Sequence, residues 1–489
     1  MSVIEHELLA KVPTQLFING QWVDGHADQQ IQVEDPATGK PLASIANANA
    51  QDALAALTAA DNVQAKWART APRERAEILR RTFDLVRTRS EEFATLISLE
   101  MGKPLAEARG EVAYGNEFLR WFSEEAVRIT GRYNTNPEGT GKILISQRPV
   151  GPAFAITPWN FPLAMATRKI GPALAAGCTM VIKPAELTPL TTLLLAKTFE
   201  EAGLPAGVLN VITTSKSAAT SAGIISDHRL RKITFTGSTQ VGRKLLEQSA
   251  ERVLRTSMEL GGNAPFVVFE DADVDAAVSG AMLAKMRNIG QACTAANRFI
   301  VHESVAGEFA SKFAEKMSAL QLGRGVAEGT TCGPVINDKA QANLQRLVDV
   351  SKSEGADVLA GGAAADREGY FFEPTVIDNV DANSAIWREE IFGPIAPITH
   401  FKTEEEAVAL ANDTEYGLVS YAFTNDAKRQ LRLIESLDTG MTGINSGLVS
   451  NAAAPFGGTK ASGLGREGGA EGIHEYLETK YAFIPDPFA

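Results

Sequence analysis

The sequence predicts an α/β protein of two lobes, each built on a largely parallel sheet. Three observations carry this. From Pro149 onward, short apolar runs alternate with helix-compatible segments. A second alternation of the same kind begins after Gly262. Between the two stands the pair Gly261-Gly262, where the backbone can turn sharply from one lobe to the next. At 489 residues, with 44% hydrophobic and 22% charged side chains, the chain is long enough for two or more domains with cores of their own.

Taken in order, LFINGQWVDG from Leu16 to Gly25 alternates around Asn19-Gly20 and predicts a hairpin at a sheet edge. Gln51 to Trp67, Pro72 to Arg87 and Glu91 to Glu125 carry apolar residues at helical spacing, so packed helices are expected, interrupted at Gly102, Pro104 and Gly110. Arg128 to Arg148 loses that period and becomes turn-rich, then alternating, as a strand ribbon of the kind that serves assembly does. The first lobe then offers strands at Ala153 to Thr157, Thr179 to Ile182, Val208 to Ile212 and Ile233 to Phe235, with helices at Thr191 to Ala202 and Val241 to Leu254. The second offers strands at Phe266 to Phe269, Phe299 to Val301, Ile395 to Phe401 and Val419 to Phe423, with helices starting at Val274, Val305 and Glu404. PFGGTKASGLGREGG reads as a loop before a last strand-compatible run, Tyr481 to Ile484.

The formal net charge of -12, with no Lys/Arg cluster, argues against a nucleic-acid partner. Three scattered cysteines, Cys178, Cys293 and Cys332, make neither a disulfide framework nor a Cys-based zinc site, and the six histidines show no ligand spacing, so no metal is expected. MSVIEHELLAKVP lacks the form of a leader and no apolar run has membrane-spanning length, so a cytoplasmic protein without a membrane partner is expected.

Chemistry concentrates in KMRNIGQACTAANR, Lys285 to Arg298. Cys293 follows a helix-like run and has small or polar flanks, which suggests a reachable cysteine in a setting that lowers its pKa; taken alone, a lone cysteine is more often a small buried hydrophobe. In FTGSTQVG, Gly237 and Ser238 stand between a strand and a helix, where backbone N–H groups can meet a phosphate, although the spacing is not G-x-G-x-x-G. VIKPAELTP places Lys183 and Glu186 past a strand end, where they suit ribose hydroxyls and where a carboxylate disfavours the extra phosphate of NADP. Asn160 in ITPWNFP is either a helix cap or an oxyanion donor, and Glu259 in MELGGN is either an exposed carboxylate or a general base.

WNFP, KPAE, FTGST, ELGG, QAC, EEIFGP and PFGG occur in the order and approximate spacing of the aldehyde dehydrogenase superfamily, which the chain resembles from about Phe17 to about Tyr481. The resemblance implies an aldehyde dehydrogenase-like fold of two Rossmann-like lobes with a small β oligomerisation ribbon. Residues 1–130 and 150–262 would form the NAD-binding domain, 263–462 the catalytic domain, and 131–149 with 463–489 the oligomerisation and bridging segments. It implies Cys293 as nucleophile, Asn160 with the Cys293 backbone N–H as oxyanion site, and Glu259 as the base for deacylation. Lys183 and Glu186 would meet the adenosine ribose, Gly237 and Ser238 the pyrophosphate, and Glu390 and Phe392 the nicotinamide ribose, with Trp159 and Leu260 lining the same cleft. NAD is the implied cofactor, NADP the less favoured one, and a homodimer or homotetramer the implied assembly.

An arginine fork pairs with a carboxylate, so Arg168 and Arg287 facing one cleft would suit an aldehyde bearing a distal acid. TRK after WNFP, MRN before GQAC and GLVSN before PFGG resemble the succinate-semialdehyde dehydrogenase branch, which implies Arg168, Arg287 and Ser450 as the carboxylate contacts. Glutarate semialdehyde differs by one methylene, a discrimination of only about 1 to 3 kcal/mol, and the small residues Asn451 to Ala454 favour a wider pocket. Ala295 stands where some members of that branch have a second cysteine, so no local disulfide switch is expected. A CoA-acylating dehydrogenase would not need Glu259, and a non-catalytic member would not need the set Cys293, Glu259 and Asn160.

Overall fold

The computed structural model of the protein describes residues 2–488. Its first sheet has eight strands in the spatial order Gln21–Val23, Leu16–Ile18, Leu209–Val211, Met180–Lys183, Ala153–Ile156, Lys232–Thr236, Arg255–Glu259 and Gly463–Leu464. The five from Leu209–Val211 to Arg255–Glu259 run parallel. Antiparallel strands close both edges. The second sheet has seven: Asp357–Ala360, Thr375–Asp378, Ile395–Phe401, Ala296–His302, Ala264–Val268, Val419–Phe423 and Met441–Ile444, parallel throughout except at the first pair. Strands such as Ala153–Ile156 and Ala264–Val268 are buried along their whole length, as parallel strands covered by helices on both faces must be. The chain leaves one sheet at Glu259 and enters the other at Ala264, on either side of Gly261-Gly262.

A third, three-stranded antiparallel sheet joins Arg132–Thr135, Gly141–Pro149 and Leu477–Pro485. The expected ribbon and the C-terminal strand therefore pair with each other, in a register that sets Tyr481 opposite Ile145. Tyr133, Leu144, Tyr481, Phe483 and Ile484 stay exposed on it.

The edge hairpin forms as predicted, because Asn19 (φ 54°) and Gly20 (φ 71°) both take the left-handed conformation of a tight two-residue turn. The helical region comprises Ala50–Arg69, Pro72–Thr88, Ser90–Met101 and Leu105–Glu125. Gly102 ends one helix in the left-handed conformation and Pro104 caps the next. Gly110, expected to interrupt, does not. It sits inside Leu105–Glu125 with open space on its side, so it costs only helix propensity while Ala108 and Val112 bury the opposite face. The helix expected to reach Leu254 stops at Ala250, and Val253 turns through φ 52°. The hairpin Ile31–Asp35 with Lys40–Ile45 and the helices Asp338–Ser353 and Ala427–Ser436 were not among the expected elements. Within the glycine-rich stretch, Gly463–Leu464 adds to the first sheet beside Met258 and Glu259. Among the described residues no helix is long and apolar enough to cross a membrane.

Candidate active site

Parallel registry gathers the site. Lys183 lies opposite Ile156, Phe235 opposite Ile156 on its other side, and Thr236 opposite Glu259. The turns that follow these strands therefore open at one carboxyl edge, where α/β sheets bind ligands. A cavity of about 270 Å³ occupies this edge, lined by Trp159, Asn160, Gly237 and Ser238 from the first lobe. Leu260, Cys293, Glu390 and Phe392 complete it. Sequence-predicted residues from both lobes are thus brought to one cleft.

The cofactor side has the features a dinucleotide needs. Ser238 caps helix Thr239–Ala250, its hydroxyl accepting from the Val241 N–H, so the positive end of the helix faces the cleft. The Thr236 hydroxyl beside it is buried without a partner. Lys183 is buried, its Nζ donating to the Pro184 carbonyl at 3.1 Å and lying 4.0 Å from the half-exposed Glu186 carboxylate. Burial lowers the Lys183 pKa and Glu186 opposes that. Glu390 accepts from the Gly262 N–H at 3.0 Å, and burial pushes its carboxyl up to about 7, against the Gly262 N–H and Lys285. Phe392 is held at φ 53°, uncommon for a bulky residue, with its ring edge-to-face on Trp159 at 5.4 Å. These residues fit a nicotinamide dinucleotide. Among the described residues no group of three His, Cys, Asp or Glu is placed to hold a metal ion.

Helix Val274–Met286 breaks into a short 3-10 turn, Arg287–Gly290, in which Asn288 (φ 58°) and Ile289 (φ 60°) are both left-handed. That strain, unusual for a β-branched residue, swings the chain so that Cys293 faces the cleft, partly exposed. Gly262 is required there by close approach, since a Cβ on it would stand 2.4 Å from the Cys293 carbonyl oxygen. The expected low thiol pKa is not found. Burial pushes it up to about 12, and Glu259 and Glu390 add to this against Arg168 and Arg287. Burial of the thiol, with two carboxylates near it, outweighs two guanidinium groups, so the thiol must lose its proton to a base.

Asn160 is pinned by a buried network that spacing did not reveal. Its side-chain Nδ2 donates to the Gln291 carbonyl at 2.9 Å, leaving the second amide hydrogen free. Its backbone carbonyl accepts from Lys103 Nζ at 2.8 Å and Asn288 Nδ2 at 3.1 Å. Lys103, fully buried, also donates to Glu111 at 2.6 Å and lies 4.0 Å from the Phe161 ring centroid. The other Glu111 oxygen accepts from the N–H groups of Leu163 and Ala164, at the start of helix Ala164–Ala176. Glu107 accepts from the Asn288 N–H. One end of helix Leu105–Glu125 thus ties the Asn160 turn to the Cys293 turn. Charged residues at a helix start read as surface in sequence, and nothing local marks these as buried.

Glu259 is buried, with its Oε2 unpartnered. Burial raises its pKa well above the usual carboxylate range and Glu467 raises it further, against Arg168 and Lys169. Glu467 was not predicted. It is delivered by the segment after Gly463–Leu464, accepts from Lys169 Nζ at 2.5 Å, and lies 2.7 Å from Arg168 Nε without hydrogen-bond alignment.

Of the residues expected to contact a substrate carboxylate, Arg287 Nη1 donates to the Ser450 hydroxyl at 3.2 Å, with its guanidinium over the rings of Phe161 (5.0 Å) and Tyr114 (5.5 Å). Ser450, Asn451 and Ala453 line a second cavity, of about 430 Å³, together with Tyr114. Arg168 is wholly buried, stacked 3.9 Å from the Phe456 ring centroid and 5.5 Å from that of Phe118. Burial opposes its charge, but Tyr114, Glu467, Glu259 and Cys293 more than offset this. Its Nη2 has no partner.

The sequence profile of the Aldehyde dehydrogenase family matches residues 22–482. The chain is 62% identical over 447 residues to a succinate-semialdehyde dehydrogenase of Paenarthrobacter nicotinovorans, covering 91% of this chain and 99% of that one. It is 47% identical over 470 residues to a glutarate-semialdehyde dehydrogenase of Pseudomonas putida, covering 96% and 97%. A crystal structure of an NADP-dependent E. coli enzyme superposes with a TM-score of 0.96 at 46% identity, covering 98% of this chain and 99% of the other.

Proposed function

The chain belongs to the aldehyde dehydrogenase family, and from that premise we propose that it oxidises succinate semialdehyde to succinate with NAD in preference to NADP. The observation that carries the substrate assignment is the Arg287–Ser450 pair, joined through Phe161 and Tyr114 to the cleft that holds Cys293. A guanidinium with a hydroxyl beside it suits the distal carboxylate of a short semialdehyde, with Arg168 adding positive potential from beneath. The Asn451–Ala453 side of the second cavity supports glutarate semialdehyde as the second reading.

In the mechanism we propose, Glu259 takes the Cys293 proton, directly or through a water at its unpartnered Oε2. The thiolate adds to the aldehyde carbon, giving a thiohemiacetal whose oxygen is met by the free Asn160 amide hydrogen and the Cys293 N–H. Lys183, Glu186, Gly237, Ser238, Glu390 and Phe392 would hold the nicotinamide dinucleotide, which would accept the hydride leaving the thiohemiacetal carbon. Once Glu259 has passed the thiol proton to solvent, it takes a proton from the water that attacks the Cys293 thioester, and that proton goes to the departing thiolate as the acid is released. Glu186 beside Lys183 supports NAD, because a 2′-phosphate would meet a second negative charge. The exposed apolar residues of the three-stranded sheet support a homodimer or homotetramer assembled through it.

NADH formation from succinate semialdehyde, glutarate semialdehyde and butanal, in the wild type and in Arg168→Ala and Arg287→Ala, tests the assignment. Acid-bearing aldehydes are expected to win, and each variant to lose that advantage by about 10- to 100-fold in kcat/KM, as removal of a hydrogen bond to a charged group does. Equal use of butanal by all three proteins would make the arginines structural.

A further inference from the structure

We propose that Tyr114 is a specificity-determining donor to the distal carboxylate of the substrate, completing the site formed by Arg168, Arg287 and Ser450. This rests on the semialdehyde reading and adds a residue that the sequence did not single out.

Tyr114 lies on helix Leu105–Glu125 and packs against Phe161, Ala164, Met165, Ala292 and Ala295. Met165 belongs to the cleft wall beside Cys293, whereas Tyr114 itself lines the second cavity with Ser450. The phenol ring therefore stands between the reacting thiol and the end where a distal acid would lie. Its ring is edge-on to Phe118 at 5.1 Å, the ring over which the Arg168 guanidinium lies, and the Arg287 guanidinium lies over the Tyr114 ring itself.

The decisive feature is what these groups do not bond. The Tyr114 hydroxyl is buried and has no hydrogen-bond partner, and neither has Arg168 Nη2. Buried donors in folded proteins are almost always paired, so two orphans on side chains that pack against the same Phe118 ring mark the place of an acceptor that arrives with a ligand. A carboxylate is that acceptor, because it carries only lone pairs and has enough of them to take a phenol, a guanidinium and a serine hydroxyl together. An aldehyde ending in a methyl group would leave both donors unpaired, and a site built to hydrogen-bond its substrate rejects such a ligand more strongly than an apolar site does.

Tyr114→Phe keeps the ring and its packing and removes only the hydroxyl. Steady-state NADH formation with succinate semialdehyde and butanal, together with inhibition by succinate, reads the change. The ratio of kcat/KM for succinate semialdehyde over butanal is expected to fall about 10- to 100-fold, through KM rather than kcat, and the inhibition constant of succinate to rise by a similar factor. An unchanged ratio and unchanged succinate inhibition would overturn the assignment, and so would an equal loss with both aldehydes, which would make the hydroxyl a packing element. Arg287→Ala in parallel separates the two levels. If it loses the acid preference and Tyr114→Phe does not, only the Tyr114 assignment fails; if neither loses it, the semialdehyde reading fails as well.

Discussion

Replacing Lys103 by Met removes the ammonium that links Asn160 to helix Leu105–Glu125 while keeping a flexible apolar stem over Phe161. Two bonds disappear, the 2.6 Å contact to Glu111 and the 2.8 Å contact to the Asn160 carbonyl. Glu111 keeps its two backbone donors but becomes an unpaired buried charge, and breaking a buried pair in this way costs about 3 to 5 kcal/mol. Against a typical total of about 5 to 15 kcal/mol the loss is large yet survivable. Asn160 is left with Asn288 as the donor to its carbonyl. A displacement of about 1 Å at such a site lowers turnover by roughly 10²-fold. Denaturant unfolding, steady-state NADH formation and cofactor binding by fluorescence quenching would be measured together. The expected pattern is reduced stability, a kcat lowered by about that factor, and unchanged cofactor affinity, since Lys103 touches none of the proposed cofactor contacts. Adding Glu111→Gln removes the stranded charge and should restore about 1 to 3 kcal/mol of stability without restoring kcat. A single variant within about 1 kcal/mol of wild type and fully active would refute the positioning argument.

Three further outcomes follow from the site. Glu259→Gln is expected to slow both the NADH burst and thioester hydrolysis, by about 10² to 10⁴-fold for each proton transfer it serves; in rapid-mixing experiments a burst at the wild-type rate would remove its role toward the thiol, and unchanged hydrolysis its role toward water. In the wild type, Glu259 and Cys293 both have pKa values raised by burial, so their reactive deprotonated forms grow with pH; activity should climb from acid to mildly alkaline pH, and a flat chemical step would contradict this. Glu390, raised to about 7, becomes a better acceptor for ribose hydroxyls as it ionises. KM for NAD should therefore fall as pH rises from 6 to 8, and titration of KM in Glu390→Gln should lose that trend.

Much of the fold was legible because its signals are local. Asn19-Gly20 dictates its hairpin, and continuous apolar runs separated by helical stretches dictate parallel strands, whatever lies elsewhere in the chain. Once the strands are parallel, the turns after Ile156, Lys183, Thr236 and Glu259 must share one edge. Gly110 misled for the converse reason: a weak local preference for breaking a helix yields to the tertiary burial of its neighbours.

The sequence by itself determined the order of the lobes, the strand-end positions of the site residues and the family to which they belong, because turn chemistry, hydrophobic period and motif spacing are written in consecutive residues. Only the tertiary structure decided the electrostatics. Lys103 meets Asn160, Tyr114 lies under the Arg287 guanidinium, and Glu467 packs against Arg168 and Lys169, each across a long stretch of chain. The thiol and the Glu259 carboxyl have raised rather than ordinary pKa values because burial and neighbouring charge act through space, and no spacing along the chain encodes how much water two segments exclude when they meet.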